Sequence, residues 1–359
     1  MVAPPFAERA VSASVSVLQA ASNAMHAHGG TQATSLAARA AAWVGRLPAA
    51  AWLALPCIAL LPVWAWSAAR FTDGSDDPLG IVALTAILAL VARDRHRYGG
   101  TPHAVGLTIA VLLTAAATLG GDLPPLVRGV LAVLATMGML AALRRRAQPV
   151  LALAGLGLLA LPIVSSLQFF AGFPLRVVTA EATRALLAVG GMAAERDGTA
   201  LTVAGRLVMV DAPCAGIQMV WVAYFTACFA AVWLRMGDAH FLRRLPLVGL
   251  IVIAGNIVRN TVLVAKEAGV LQWPDWTHEG VGLAVFAAVC ATVLKVVAGA
   301  PTRPAARSDT AVADNRMTRK ATGLHTGGFA ILVVLAGTPW LAVGKPAPET
   351  SAAAHVEWP

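Results

Sequence analysis

Long apolar runs separated by short polar breaks constrain this chain more than any other feature. They fall at 48–68, 79–92, 103–120, 125–143, 149–171, 213–234, 245–265, 279–299 and 327–344. A helix needs about 20 apolar residues to cross the hydrocarbon core of a bilayer, and most of the runs reach or approach that length. Composition agrees. The chain of 359 residues is 58% hydrophobic and 13% charged, with a mean hydropathy of +0.72. A soluble domain carries roughly 45–50% apolar and about 25% charged residues. The sequence therefore predicts an all-α polytopic membrane protein with about eight to nine transmembrane helices.

Charge sets the expected orientation. Arg93, Arg95 and Arg97 follow the second run, Arg144, Arg145 and Arg146 the fourth, and Arg235, Arg243 and Arg244 the sixth. Arg303, Arg307, Arg316, Arg319 and Lys320 follow the eighth. Asp73, Asp76, Asp77, Asp122, Asp275 and Glu279 occupy the alternate connections. Basic loops stay in the cytoplasm, so the N-terminus is expected inside and the tail outside. The apolar run from residue 48 leads into further spans and reads as an anchor, not a cleaved leader. The net charge of +9 comes from these loop clusters and not from a basic stripe with interleaved aromatics, which argues against nucleic acid.

The chain then divides into a poorly ordered cytoplasmic segment (1–47), a membrane domain (48–299), a cytoplasmic linker (300–326), an additional C-terminal span (327–344) and an external tail (345–359). Within the membrane domain, residues 172–212 are expected outside. Residues 175–194 place Val178, Ala182, Leu186 and Val189 on one face, the pattern of a helix lying on the membrane surface. The stretch TALTVAGRLVMVD alternates on both sides of Ala204-Gly205 and reads as a β-hairpin.

The hairpin delivers the chain to DAPCAGIQMVW, where Cys214 is expected to open the sixth span. Helical spacing would put Cys214, Gln218 and Trp221 on one face, and Gly216 permits close backbone approach. The other cysteines are Cys57, Cys228 and Cys290. There is no CxxC pair, and Cys214 and Cys228 would be about 21 Å apart on one helix, so the thiols read as free. The seventh run carries GNIVRNTVLVAKEAG, with Arg259 about two turns inside the interfacial Lys266. Such a charge costs at least ~2.5–3.5 kcal/mol in lipid and should face the bundle. Asn256 and Asn260 flank it and could orient its guanidinium. The eighth run begins WPDWTHEGVG, with His278 and Glu279 at its outer end and Trp273 and Trp276 as interfacial aromatics. Taken singly, these are a small buried thiol, a helix-pairing arginine and an interfacial histidine. Taken together, they come from three consecutive antiparallel spans at one leaflet. A thiol nucleophile, an imidazole that titrates near neutrality and a permanent cation are what cysteine acyl transfer requires. Nothing in the sequence calls for a metal or an organic cofactor.

Those residues resemble the exosortase/archaeosortase family over about residues 160–298, with weaker general similarity through the earlier spans. The family has a cysteine in a C-S-G-like motif, an N-x-x-R pattern on the next span and a histidine opening the one after. Here these are Cys214 in PCAG, Arg259 in NIVRN and His278 in THEGVG. Ala215 stands where serine is usual, and Gln218 where many bacterial members have arginine. The resemblance implies a cysteine protease or transpeptidase of the bacterial inner membrane with its site facing the periplasm. Its partners would be the bilayer and the C-terminal sorting signals of secreted proteins: a short motif such as Pro-Glu-Pro, one apolar helix and a basic end. It implies Cys214 as nucleophile, His278 as general acid and base and Arg259 as charge stabiliser. Asn256, Asn260, Gln218, Glu279 and Gly216 would support them. A transporter or channel is the alternative, although no inverted repeat is visible. A non-catalytic assembly subunit on the same fold is a third reading. The recognition motif, the acceptor and the oligomeric state are left open by the sequence.

Overall fold

The computed structural model of the chain describes residues 39–40, 42–74, 76–144, 149–210, 216–274, 276–299 and 324–337. The helices are α1 (Ala49–Ala59), α2 (Leu61–Thr72), α3 (Leu79–Arg93), α4 (Ala104–Leu119), α5 (Pro125–Ala142), α6 (Val150–Leu159) and α7 (Val164–Val189). After a three-stranded sheet come α8 (Ile217–Trp233), α9 (Asp238–Glu267), α10 (Thr277–Ala298) and α11 (Leu324–Gly337).

Among the described residues, α5, α9 and α10 are long and apolar enough to cross a membrane, and the number rises to five if each of two bent pairs is one span. The remaining apolar helices, α3, α4, α8 and α11, are shorter. The expected eight to nine spans are therefore not confirmed by helix length. Two of the expected spans are broken. The run 48–68 bends by 69° between α1 and α2, where Pro62 enters the first turn of α2. The run 149–171 bends by 91° between α6 and α7. Pro162 disfavours helical backbone at the residue before it, and α6 stops at Leu159. Hydropathy cannot register this break, because Ala160-Leu161-Pro162-Ile163 is as apolar as the helices around it.

Backbone groups freed at such a bend must find partners. The Trp221 indole N–H, buried on α8, donates to the Leu159 carbonyl at 3.1 Å. The Ser165 amide in the first turn of α7 donates to Asp76 Oδ1 at 3.3 Å. Burial pushes the Asp76 carboxyl up, against the amides of Ser165 and Asp77 that favour its charge.

α8 lies at the centre, in contact with α3, α6, α7, α9 and α10. Its buried face includes Trp221, Ala223, Ala227, Cys228 and Ala231. Small side chains let neighbouring helices approach, which drives association where lipid is as apolar as the protein. Cys57, Cys228 and Cys290 are free thiols, as expected; Cys214 lies outside the described residues. α11 packs against the bundle. Its Leu332 is buried with Trp52, Leu107 and Met139, and His325 Nε2 lies 2.6 Å from the Pro102 carbonyl.

A small cap stands on the bundle at the end away from the basic loops. The expected hairpin is present as β2 (Ala200–Val203) and β3 (Arg206–Met209), with Ala204 at φ 50° and Gly205 at φ 74°. Two positive φ values in a two-residue loop are the signature of a type I′ turn. A third strand, β1 (Ala194–Asp197), pairs with β2; its sequence, AERD, has no apolar alternation to announce it. Residues 175–194 do not begin a new helix, since α7 runs unbroken through Pro174. Val178, Leu186 and Val189 of the expected stripe are exposed, while Thr179, Ala180, Thr183 and Leu187 turn inward. Ala180 and Leu187 join Leu201, Val203, Val208 and Val210 of the sheet segment and Val264, Ala265 and Ala268 at the end of α9 in one core.

At the basic end, the chain closes on Asp94, just beyond α3. Its side chain is 2% exposed and meets Arg235 at 2.9 Å, Arg93 at 3.1 Å and Arg97 at 3.5 Å. Burial alone would push this carboxyl up; the hydrogen bonds from Arg235 and Arg93 outweigh it and hold it below the ordinary carboxylate range. Arg235 has φ 56°, a left-handed conformation that costs a non-glycine residue about 1–2 kcal/mol. It occupies the glycine position of a Schellman ending, with the Met236 amide donating to the Ala231 carbonyl at 2.8 Å. The pair with Asp94 offsets that strain.

Asp94→Asn is expected to lower stability by roughly 2 kcal/mol, measured by thermal unfolding in detergent micelles. A folded pKa below the unfolded 3.8 stabilises fully above that value, and the contribution fades as pH falls through the folded pKa. The variant should lose this acid dependence. Arg235→Gly should be more stable than Arg235→Ala by about 1 kcal/mol, because only glycine relieves the left-handed strain.

Candidate functional site

Three helices converge beneath the cap: the start of α8, the last third of α9 and the first turns of α10. Gly216, the residue before α8, sits at φ 74° with Asn256 of α9 against it. A Cβ built there would lie 2.7 Å from Asn256 Cγ. Glycine is thus required twice, by dihedral and by contact. The left-handed residue also means that α8 does not extend back through Gly216. Of the three residues that helical spacing put on one face, Gln218 and Trp221 stand on α8. Cys214 itself, with Ala215, lies outside the described residues.

Asn256 and Asn260 are buried at 4% and 1% exposure on α9. Asn256 Nδ2 donates to Thr179 Oγ1 of α7 at 3.3 Å, and Asn260 Nδ2 to the Asn256 carbonyl at 2.8 Å. These bonds, with the seat of Gly216 on Asn256, hold α7, α9 and the turn before α8 together.

Arg259 is half-buried and turns to the other side of α9, toward α10. A Cβ at Gly282 would stand 3.5 Å from Arg259 Nε, so the absence of a side chain at Gly282 makes room for the cation. His278 is one turn before Gly282 on α10. Its Nδ1 lies 3.5 Å from Glu267 Oε1 at the end of α9, and both side chains are 45% exposed. Arg259 and Glu267 thus approach neighbouring turns of α10. Glu279 is exposed in the first turn of α10, and the carboxylate that meets His278 is Glu267.

Gln218 is exposed and donates to Asp77 Oδ2 at 3.0 Å, bridging α8 to the loop before α3. Thr179, Asp77, Glu267 and Gly282 were not legible as site residues. Glu267 carried a weak signal, being a charge at the mouth of an apolar run. Thr179 and Gly282 carried none. At the start of α10, Trp273, Pro274, Trp276, Thr277, Gly280 and Val281 line an apolar cleft of about 360 Å³. Among the described residues, no cluster of three metal-ligating side chains occurs.

The arrangement offers a left-handed turn at the head of a helix, a cation and a histidine–carboxylate pair on adjoining faces of α9 and α10. The family model for transmembrane exosortases matches residues 66–295, which is more than half of the chain and includes every one of these groups. The chain belongs to the transmembrane exosortase family. No curated protein and no solved structure matches it. The match begins well before residue 160, where the motif resemblance started, so it takes in α3 to α6 as well as the site. The last helix, α11, lies outside it.

Gly216→Ala is expected to cost roughly 2 kcal/mol or more, from the positive φ and the overlap with Asn256. Adding Asn256→Ala should recover only the overlap and leave the dihedral cost. Thermal unfolding reads the stability. The rate at which a membrane-impermeant maleimide labels Cys214 reads the displacement of the turn.

Proposed function

We propose that this exosortase is a cysteine transpeptidase or protease that cleaves C-terminal sorting signals of secreted proteins at the outer leaflet of the bacterial inner membrane. The observation that carries the reading is the seating of Gly216 against Asn256. It ties the turn that follows Cys214 to the same helix that carries Arg259 and Glu267. The signal would consist of a short motif, an apolar helix and a basic end. The apolar cleft at the start of α10 suits the motif-proximal part of such a helix.

In this reading the Cys214 thiolate attacks the carbonyl carbon of the scissile peptide bond. The tetrahedral oxyanion draws on Arg259 and on the unpaired amides that open α8, since a helix N-terminus favours negative charge. The same amides favour the thiolate, and they supply donors that Ala215, without a hydroxyl, does not. The intermediate collapses as the C–N bond breaks. His278 gives a proton to the departing amine, oriented by Glu267, and a thioester on Cys214 remains. His278 then takes a proton from water or from an acceptor amine, which attacks the thioester and frees the thiol. Asn256 and Asn260 hold the turn, Gln218 and Asp77 hold the head of α8, and Glu279 adds negative charge at the histidine's end of α10.

The test is processing of a reporter that carries a Pro-Glu-Pro motif, an apolar helix and a basic end, in cells and in proteoliposomes. Cys214→Ala is expected to abolish cleavage. Arg259→Lys should lower kcat by about 10²-fold or more, because a point charge cannot replace the planar fork. His278→Ala should lower it by about 10²–10⁴-fold. Continued cleavage by Cys214→Ala would sink the proposal, and solute flux indifferent to thiol blockade would favour a transporter.

A further inference from the structure

The two edges of the cap's sheet are unlike. β1 at one edge carries Glu195, Arg196 and Asp197, charges of the kind that protect an edge from another strand. α7 packs against it, and Arg196 Nε bonds Glu181 Oε2 of α7 at 2.8 Å. β3 at the other edge carries Leu207 and Met209, exposed at 68% and 51%.

The register decides where the backbone of β3 points. The Val210 amide donates to the Thr199 carbonyl at 3.0 Å, and Leu201 stands opposite Val208 and Val203 opposite Arg206. Bonding alternates along an antiparallel pair, so Arg206, Val208 and Val210 face β2. The N–H and C=O groups of Leu207 and Met209 face the open side. Among the described residues nothing bonds them. An open, uncharged edge of this kind is what natural proteins avoid unless another strand is meant to join it.

β3 is also the strand that leads into the reactive turn. Four residues separate Met209 from Cys214, and Gly216 beyond it is fixed on Asn256. At the strand's other end, the Arg206 guanidinium rests on Gly269, and Leu271 packs on the core that contains Val208 and Val210.

We infer that the free edge of β3 binds the substrate polypeptide as an added strand, taking the extended segment next to the scissile bond through the backbone groups of Leu207 and Met209. This rests on the sorting function proposed above. Recognition by strand addition draws its affinity from the main chain and its selectivity from alternate side chains. A peptide of neutral or acidic character suits the edge, since its flanking charge is Arg206.

The full-length protein in proteoliposomes tests this with a synthetic probe: ten residues, a Pro-Glu-Pro motif, an apolar helix and a basic end. Leu207→Pro and Met209→Pro each delete one outward N–H and leave the bonds to β2 intact. Each is expected to raise KM for the probe by about 5–10-fold, the worth of one backbone hydrogen bond. Ala194→Pro, the same change on the β1 edge, should leave KM unchanged. N-methylation of successive probe residues should weaken binding at every second position. A photo-crosslinker at Leu207 should capture the probe. Maleimide labelling of Cys214 at the wild-type rate shows that a variant has kept its fold.

Wild-type KM in both proline variants, N-methyl effects with no period of two, or crosslinks to lipid alone would each overturn the inference, and lipid crosslinks would assign the edge to the membrane surface. These outcomes leave the sorting function standing as long as the wild-type protein cleaves the probe. If it does not, the functional reading fails, and strand addition fails with it.

Discussion

The contact between Asn256 and Gly216 is the constraint on which the site depends. A buried amide side chain in a membrane helix costs free energy unless its hydrogen bonds are made. Here the amide nitrogen reaches the Thr179 hydroxyl of α7, and its flank occupies the space of the Cβ that Gly216 lacks. One side chain thereby fixes three segments: the helix that carries Arg259, the interior face of α7 and the turn after Cys214. Arg259, on another side of α9, faces Gly282 of α10.

α9 makes this possible through its length. Its 30 residues span about 45 Å, more than the hydrocarbon core of a bilayer. The surplus rises beside α7 and ends in the core of the cap, with Val264, Ala265 and Ala268. The cap and the bundle therefore share a rod. The Pro246 in its lower half leaves the outer part, where the asparagines, Arg259 and Glu267 lie, free of helix breakers.

The membrane character, the β2–β3 hairpin and the residue types at the site were legible, because each has a strong local signature: run length, an Ala-Gly turn between alternating residues, charge inside an apolar run. The broken runs were not. Hydropathy reads transfer free energy residue by residue, and the residues at the α6–α7 bend are apolar throughout; the bend depends on Pro162, on Trp221 from another helix and on Asp76 from a loop. β1 was missed for the opposite reason, since a charged edge strand has no alternation to detect. Helical periodicity did not reveal where α8 begins. It assumes a continuous helix, and the left-handed Gly216 ends the phase. Thr179 and Gly282 matter through what they touch and carry no chemistry that a sequence can announce.

Polar groups in this protein pair across elements far apart in sequence, and the two ends of the bundle use this differently. At the basic end, Asp94 collects three arginines and holds Arg235 in a conformation it would not choose, which ties the segments around it together. At the other end, the groups are distributed. Arg259 faces a glycine, His278 and Glu267 are half-exposed, and among the described residues nothing bonds the outward amides of β3. A chain selected only for stability would close both ends alike. The buried asparagines tie α7, α9 and the turn at Gly216 together beside these groups, so that Arg259 and the His278–Glu267 pair can stay partly exposed without loosening the helices that carry them.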